Sequence, residues 1–397
     1  MLDSLERLPD DPILGLAAAC REDPNPDKVD LTLGIYMSED GVCPVFDAIS
    51  EAQRALVAEE TTKAYLPPAG DPDFNSGMRA LVFGSDSDAL AAGRVTSVAA
   101  PGGCGALRIG AEIARSAAPQ ARVWVSDPTW PVHLPLLGSV GLEFAQYRYY
   151  DATTHGVDFE GMVADLKGAG ENDLVLLHGC CHNPCGADLS LEQWSIVADM
   201  AERQGFLPFI DIAYQGLGNG LEEDAGGLRL LADRLPEMIV AASCSKNMGL
   251  YRERTGCAQF LCRDRDNAAA LLSQAKVAAR RIYSMPPAHG ALLAGRVLAD
   301  PALARSWRAE LHAMCERING LREDLVARLE AATGRNFAFI RRENGMFSFL
   351  GLAEDEVKAL REEHSVYMVG SSRINVAGIN GGNIGYFTDA VADVLGR

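Results

Sequence analysis

Long apolar runs are missing from this chain. No stretch of its 397 residues approaches the roughly 20 apolar residues that a membrane-spanning helix needs, so no membrane partner is expected. Positive charge is scarce as well: 36 lysines and arginines face 54 aspartates and glutamates, for a formal net charge of −18. Nucleic acid and anionic membrane surfaces both demand a basic face, which excludes them as expected partners. An anionic substrate would have to be met by local arginines working against that background field. Internal repeats, low-complexity linkers and a cationic, apolar leader are also lacking. The ten cysteines have no paired spacing, so they read as the reduced thiols of a cytoplasmic protein rather than a disulfide framework.

What is present is ordinary for a soluble globular enzyme, with 48% hydrophobic and 23% charged residues. The length suits one large domain with a second, smaller one. In the middle of the chain "ARVWVSDP", "DLVLLHGCC", "LPFIDIAYQG" and "EMIVAASCSK" read as strands. Between them "SLEQWSIVADMAERQG" has helical spacing, with Ser190 as cap and Glu192 and Gln193 in the first turn. Such alternation predicts an α/β fold with helices covering a largely parallel sheet. The C-terminal part changes to long charged helical segments followed by the short strands "GMFSFLGL" and "SSRINVAGI", and "PDDPILGLAAACRED" near the N-terminus is expected to pack with it. The expected division is a small domain of residues 1–42 and 310–397 and a large domain of residues 43–309.

The segment "HGCCHNPCG", residues 178–186, packs two histidines and three cysteines into nine positions. Structural zinc sites use ligand pairs a short turn apart with a second pair downstream. Here Cys180 and Cys181 are adjacent, no second knuckle follows, and neighbours on a strand point to opposite faces. No metal site is expected. The strand should stop at Asn183-Pro184, and a strand end is where an α/β enzyme places its polar chemistry.

Four strand ends carry such residues: Trp130, Asn183, Asp211 and Lys246. Singly each has a plain reading, the aspartate as a helix cap and the lysine as a solvated loop residue. Jointly they meet the needs of pyridoxal 5′-phosphate: a lysine for a Schiff base, an acid facing the pyridine nitrogen, and an anion cradle.

The chain resembles the class I (subgroup Iα) aminotransferases, the aspartate and aromatic amino acid aminotransferases, over essentially its whole length. "TTKAYLPPAG", "GGCGALRIG", "SDPTWPVH", "HGCCHNPCG", "FIDIAYQGLG", "SCSKNMGLYRERTG", "YSMPPAHG", "NGMFSF" and "SSRINVAG" match that family's blocks in order. The resemblance implies the fold type I of pyridoxal phosphate-dependent transferases, with a mostly parallel seven-stranded sheet in the large domain and a smaller α/β domain. It implies that Lys246 binds the cofactor and shuttles a proton, that Asp211 pairs with the pyridine nitrogen, and that Asn183 and Tyr214 hydrogen-bond the ring's phenolic oxygen while Trp130 stacks on the ring. His133 and His178 correspond to histidines behind the ring, with His133 beside Asp211.

For the phosphate, a glycine-rich turn opening a helix offers N–H groups and a positive dipole end. The resemblance gives Gly103 and Cys104 that role, completed by Ser243, Ser245 and the forked donor Arg254. Tyr65 corresponds to a tyrosine that reaches the phosphate of the neighbouring subunit, which implies a homodimer with shared active sites. Arg373 corresponds to the arginine that takes the α-carboxylate with help from Asn183. Arg280 corresponds to the one that the other subunit donates to a distal carboxylate, its neighbour Arg281 leaving that register open. Gly34 lies in the substrate loop "LTLGIY", where Thr32 replaces a family glycine, and Phe347 is placed in the hydrophobic wall.

Departures from the family pattern carry the substrate expectation. Met37, Cys43, Ala64, Cys104 and Met285 stand where aspartate-selective members commonly have polar residues. An apolar, adaptable rim favours aromatic side chains, while Arg280 retains glutamate and 2-oxoglutarate. The expectation is an aromatic amino acid aminotransferase that also accepts aspartate and glutamate. A strict aspartate aminotransferase is the alternative, and a lyase or decarboxylase would use the same lysine and ring partners. Cys185 replaces the threonine of the usual Asn-Pro-Thr-Gly turn and Cys104 a hydroxyl residue, so each position loses a hydroxyl.

Overall fold

The computed structural model describes residues 2–8 and 12–396. Part of the N-terminal segment expected to pack with the small domain, residues 9–11, lies outside the described residues, as do the two outermost residues of the expected small domain. Within them, helix α1 (Pro12–Glu22) precedes a short strand Val29–Asp30 that pairs in parallel with Val366–Tyr367.

The centre of the molecule is a seven-stranded sheet built from β1 (Val95–Pro101), β2 (Arg122–Asp127), β3 (Glu143–Arg148), β4 (Leu174–His178), β5 (Leu207–Ile212), β6 (Met238–Ser243) and β7 (Thr255–Leu261). Their order across the sheet is β1-β7-β6-β5-β4-β2-β3. Strand β7 runs antiparallel to both its neighbours, and every other pair is parallel. This is the mostly parallel α/β sheet expected from the alternating strand and helix signals. Alternate residues of the central strands feed two cores, one on each face. Val175, Leu177, Ile210, Ile212 and Val240 belong to the first, and Leu174, Leu176, Phe209, Ile239 and Ala241 to the second. Burial on both faces explains why these strands read as continuous apolar runs.

Helix α2 (Gly102–Ala117) follows β1 directly, Gly102 making the sharp entry at φ 69°. Helix α3 (Leu191–Gln204) starts at a capping box in which Ser190 and Gln193 exchange hydrogen bonds, and it ends at left-handed Gly205. The third core joins Val29 and Leu31 to Leu325, Val326, Leu329, Phe387 and Val391. The 33-residue helix α4 (Pro301–Thr333) connects the cores. Its first half places Trp307, Leu311 and Ile318 in the first core and its second half reaches the third. The helix therefore runs unbroken through position 310, where the sequence reading put a domain boundary.

One local expectation fails. Cys180 and Cys181 were expected to diverge on a strand, but β4 ends at His178, and Cys181 sits in a turn at φ 51°. The ligand atoms of Cys180, Cys181 and Asp224 consequently lie within 4.8 Å of one another, all buried. Asp224 spends both its oxygens on the N–H groups of Gly216, Gly218 and Asn219. That meets the hydrogen-bonding needs of a buried carboxylate within the protein itself.

Candidate active site

The carboxyl ends of β4, β5 and β6 and the first turn of α2 enclose a cavity of about 270 Å³. The register sets its floor: His178 on β4 pairs with Asp211 on β5, which in turn pairs with Ala241 on β6. Of the fifteen residues assigned to the site from sequence, all but Tyr65 and Arg280 line this cavity.

Asp211 is buried, and its Oδ2 accepts from His133 Nε2 at 2.9 Å. With Nε2 donating to a carboxylate, His133 Nδ1 accepts from Thr129 Oγ1 at 2.8 Å, and Thr129 Oγ1 accepts from His178 Nε2 at 3.2 Å. The chain of bonds points its donors toward Asp211. Burial works to raise the Asp211 carboxyl, but the His133 hydrogen bond and the nearby Lys246 outweigh it and hold the group below the usual range. The other oxygen, Oδ1, is buried with no partner among the described residues. An ionised oxygen left bare in a buried site costs several kcal/mol unless something donates to it.

Lys246 follows β6, is partly buried and lines the cavity. Burial pushes its ammonium below the usual range, with Asp211 opposing, and its Nζ lies 4.7 Å from the Tyr214 ring centre. A lysine depressed in this way is closer to the neutral amine that a nucleophile or base requires. His178 is pushed down to about 3 by burial first and His133 second, so it is neutral at physiological pH.

At one end of the cavity α2 presents its first N–H groups, which have no partner inside the helix. Gly102 sits at φ 69°, where glycine is favoured, and a Cβ there would also push the Arg254 guanidinium aside, its Nη2 being 2.6 Å away. A Cβ on Gly103 would point at Ser243 at 3.5 Å, so the bare backbone keeps the space open. Ser243 and Ser245 share a 2.9 Å hydrogen bond, and Arg254 Nη1 donates to the Tyr251 carbonyl at 2.9 Å. Amide groups, two hydroxyls and a guanidinium converge here with no carboxylate among them, a donor set suited to a phosphate.

The other end belongs to Arg373. Its Nη2 donates to the Thr32 carbonyl at 2.5 Å, its Nη1 reaches Asn183 Oδ1 at 3.4 Å, and its Nε has no partner among the described residues. The guanidinium lies 4.6 Å from the Phe347 ring centre, a cation–π contact. Gly34 closes on the same ring, where a Cβ would stand 2.7 Å from Phe347 Cζ. Trp130 packs edge-on against His133 at 5.2 Å.

Tyr65 is 88% exposed and Arg280 is exposed on the surface, bonded to Ser284 Oγ at 3.3 Å. Neither enters the cavity of its own chain. Arg281 lies 3.8 Å from Glu112, unlike Arg280. Among the five rim residues, Cys104 lines the cavity, while Met37, Cys43, Ala64 and Met285 lie outside its lining. The sequence reading missed Ile13, Leu107 and Ala213 in the lining and Thr129 between the two histidines. Thr129 lies inside the block "SDPTWPVH" and was within reach, whereas nothing local marks Ile13.

The chain matches the class I and II aminotransferase family over residues 26–391. An aromatic-amino-acid aminotransferase of Paracoccus denitrificans is 47% identical over 99% of this chain and 100% of its own length. An aspartate aminotransferase of Escherichia coli is 44% identical over the full length of both. The crystal structure of an aromatic-amino-acid aminotransferase from Burkholderia pseudomallei, covalently bound to pyridoxal phosphate, superposes with a TM-score of 0.98 at 43% identity, covering 100% of this chain and 99% of that one. With a partly buried lysine and a buried aspartate lining one cavity between an anion cradle and an arginine, the chain belongs to the class I and II aminotransferases.

Proposed function

We propose that this aminotransferase uses pyridoxal 5′-phosphate to move the amino group of tyrosine or phenylalanine, and also of aspartate or glutamate, to 2-oxoglutarate or a related 2-oxo acid. The observation that carries the reading is the unpartnered Asp211 Oδ1, buried in the same cavity as Lys246. A protonated pyridine nitrogen is the donor that such an oxygen needs.

When bound, pyridoxal phosphate supplies an aldehyde for an amine and a protonated ring that draws electrons from the substrate α-carbon. Asp211, steadied by His133, holds the ring proton. Gly103 and Cys104 N–H groups, Ser243, Ser245 and Arg254 hold the phosphate. Trp130 covers the ring, and Asn183 and Tyr214 bind its oxygen. Lys246 holds the cofactor at rest and, once displaced by the substrate amine, carries the proton to and from the α-carbon. Arg373 takes the α-carboxylate, and the apolar surfaces of Ile13, Trp130 and Phe347 favour an aromatic side chain.

In the same reading two subunits share each site. Tyr65 and Arg280 are exposed on their own chain, as residues serving a partner's cavity would be. We also assign the third core and the segments around it to a small domain that shapes one side of the site. The ten free cysteines support a reducing, cytoplasmic setting.

The test is a single-turnover absorbance experiment without keto acid, mixing the cofactor-loaded protein separately with phenylalanine and with aspartate. Conversion by both, with phenylalanine at least as efficient, is expected. Conversion by aspartate alone would make the enzyme a strict aspartate aminotransferase.

A further inference from the structure

Two carboxylates outside the cavity, Asp224 buried and Asp188 partly buried, grip the loops that carry Asn183 and Tyr214. Asp188 accepts from the N–H groups of Cys181 at 2.7 Å and His182 at 2.9 Å, the two residues before Asn183. Asp224 accepts from Gly216 at 2.8 Å, Gly218 at 2.9 Å and Asn219 at 2.8 Å, just beyond Tyr214. Bonds from backbone N–H to an ionised acceptor are shorter and stronger than neutral ones, so each loop is held where it meets the site.

Asn344 joins the two clamps. Its Nδ2 donates to Asp188 Oδ2 at 3.2 Å, its Oδ1 accepts from Asn219 Nδ2 at 3.1 Å, and its backbone N–H donates to the Gly186 carbonyl at 2.8 Å. It lies three residues before Phe347, in a segment that Arg322 braces by donating to the carbonyls of Gly345 at 2.8 Å and Phe347 at 2.7 Å. The backbones meet closely on both sides of this contact. Gly186 has φ 72°, and a Cβ there would lie 2.4 Å from the Phe347 carbonyl oxygen; Gly345 has φ 74°, and a Cβ there would lie 2.4 Å from Cys181 Cβ. Side chains at either position would force the Phe347 strand away from the Asn183 turn.

We infer that Asp188 and Asn344 are positioning residues: Asp188 sets the placement of Asn183, and Asn344 ties the Phe347 wall to the same carboxylate. The inference rests on the cofactor and substrate reading above and deepens it. Asn183 faces both ends of the site, since its Oδ1 lies 3.4 Å from Arg373 Nη1 and its amide is assigned to the ring oxygen. Loss of the Asp188 grip therefore disturbs both ends. Loss of the Asn344 tie disturbs only the end where Phe347 lies under Arg373.

Asp188→Asn keeps the side chain's size but turns one acceptor into a donor facing N–H groups; Asn344→Ala removes the tie and leaves the carboxylate. Each variant and the wild type are loaded with pyridoxal phosphate. The readouts are the midpoint of the pH-dependent absorbance change of the bound cofactor, kcat and KM for phenylalanine, and the thermal midpoint. A donor to the ring oxygen favours its ionised form, so weakening it should raise the absorbance midpoint. For Asp188→Asn the expected rise is about half a pH unit or more, together with a higher KM. For Asn344→Ala the expected result is a KM raised roughly three- to tenfold, kcat changed less, and the absorbance midpoint at its wild-type value. An Asp188→Asn protein that only melts earlier, with midpoint and KM unchanged, overturns the inference. If that variant fails to fold, Asn344→Ala decides alone, and an unchanged KM overturns it. A wild type that shows no pH-dependent cofactor band when loaded would instead refute the cofactor reading.

Discussion

His133 Nε2 donates to Asp211 Oδ2 at 2.9 Å while the second oxygen of the same buried carboxylate has no partner among the described residues. The histidine thus fixes the carboxylate's orientation and leaves its other oxygen unpartnered in a residue that lines the cavity. Asp211→Asn keeps the shape but removes the charge that holds a ring proton. The variant should still bind pyridoxal phosphate, with kcat reduced on the order of 10²–10³-fold, the cost of losing one preorganised electrostatic partner. Cofactor titration beside steady-state kinetics separates the two effects, and an unchanged kcat would remove Asp211 from the assigned role.

Lys246 is expected to hold the cofactor covalently. Borohydride reduction of the loaded wild type should add the mass of the cofactor to the chain. Lys246→Ala should show no such addition and no measurable transamination, while the phosphate cradle of Ser243, Ser245 and Arg254 still retains cofactor non-covalently. Mass spectrometry of both proteins checks this, and a covalent adduct on Lys246→Ala would point to another lysine.

The central strands and the two charged residues that end them were legible in the sequence for one physical reason. Strands buried on both faces must be apolar throughout, so Asp211 and Lys246 stand out at their ends. Strands β1, β3 and β7 were harder to see. "VTSVAAP" and "TGCAQFL" are buried but mix small and polar residues, and "EFAQYR" is partly exposed. The turn at Cys181 escaped because the apolar run continues past the last paired residue, His178, and hydrophobicity alone does not mark where pairing stops. Ile13 and Asn344 reach the site only through the fold, and so does the Asp188–Asn344 bond. Locally Asp188 reads as a polar residue just ahead of the α3 cap, and only the fold brings it to Asn344, 156 positions away.

Acid should destabilise the protein partly through His178. Burial pushes its folded pKa down to about 3, below the ordinary histidine value of 6.5. Between these values the unfolded chain binds a proton that the folded chain refuses, so stability falls as pH drops from 6.5 toward 3, by about 1.4 kcal/mol per pH unit for one proton. Asp188 works in the opposite sense: burial raises it from 3.8 to about 6, so its contribution is lost as pH rises through that window. His178→Gln should lose less stability than wild type between pH 7 and pH 5. Urea midpoints at the two pH values, at one protein concentration, measure the difference, and equal losses would mean that His178 does not titrate as its burial implies.

The proposal that two subunits share each active site makes a prediction that a self-contained subunit cannot meet. Arg280 is exposed outside the cavity of its own chain, whereas Lys246 lines it. A homodimer of Lys246→Ala has no functional lysine, and a homodimer of Arg280→Asp has no arginine for the distal carboxylate. In the mixed dimer, if Arg280 crosses to the partner, one site combines both defects and the other combines the intact Lys246 of one subunit with the intact Arg280 of its neighbour. Co-expression of the two variants under separate tags, followed by tandem purification of the heterodimer, should therefore recover aspartate transamination with the wild-type KM. If Arg280 instead served its own chain, each site of the heterodimer would carry one defect and aspartate turnover would stay at the level of the Arg280→Asp homodimer. Phenylalanine, which has no distal carboxylate, should be turned over by the Arg280→Asp homodimer itself, so the same preparations also test whether this arginine serves only the dicarboxylate substrates.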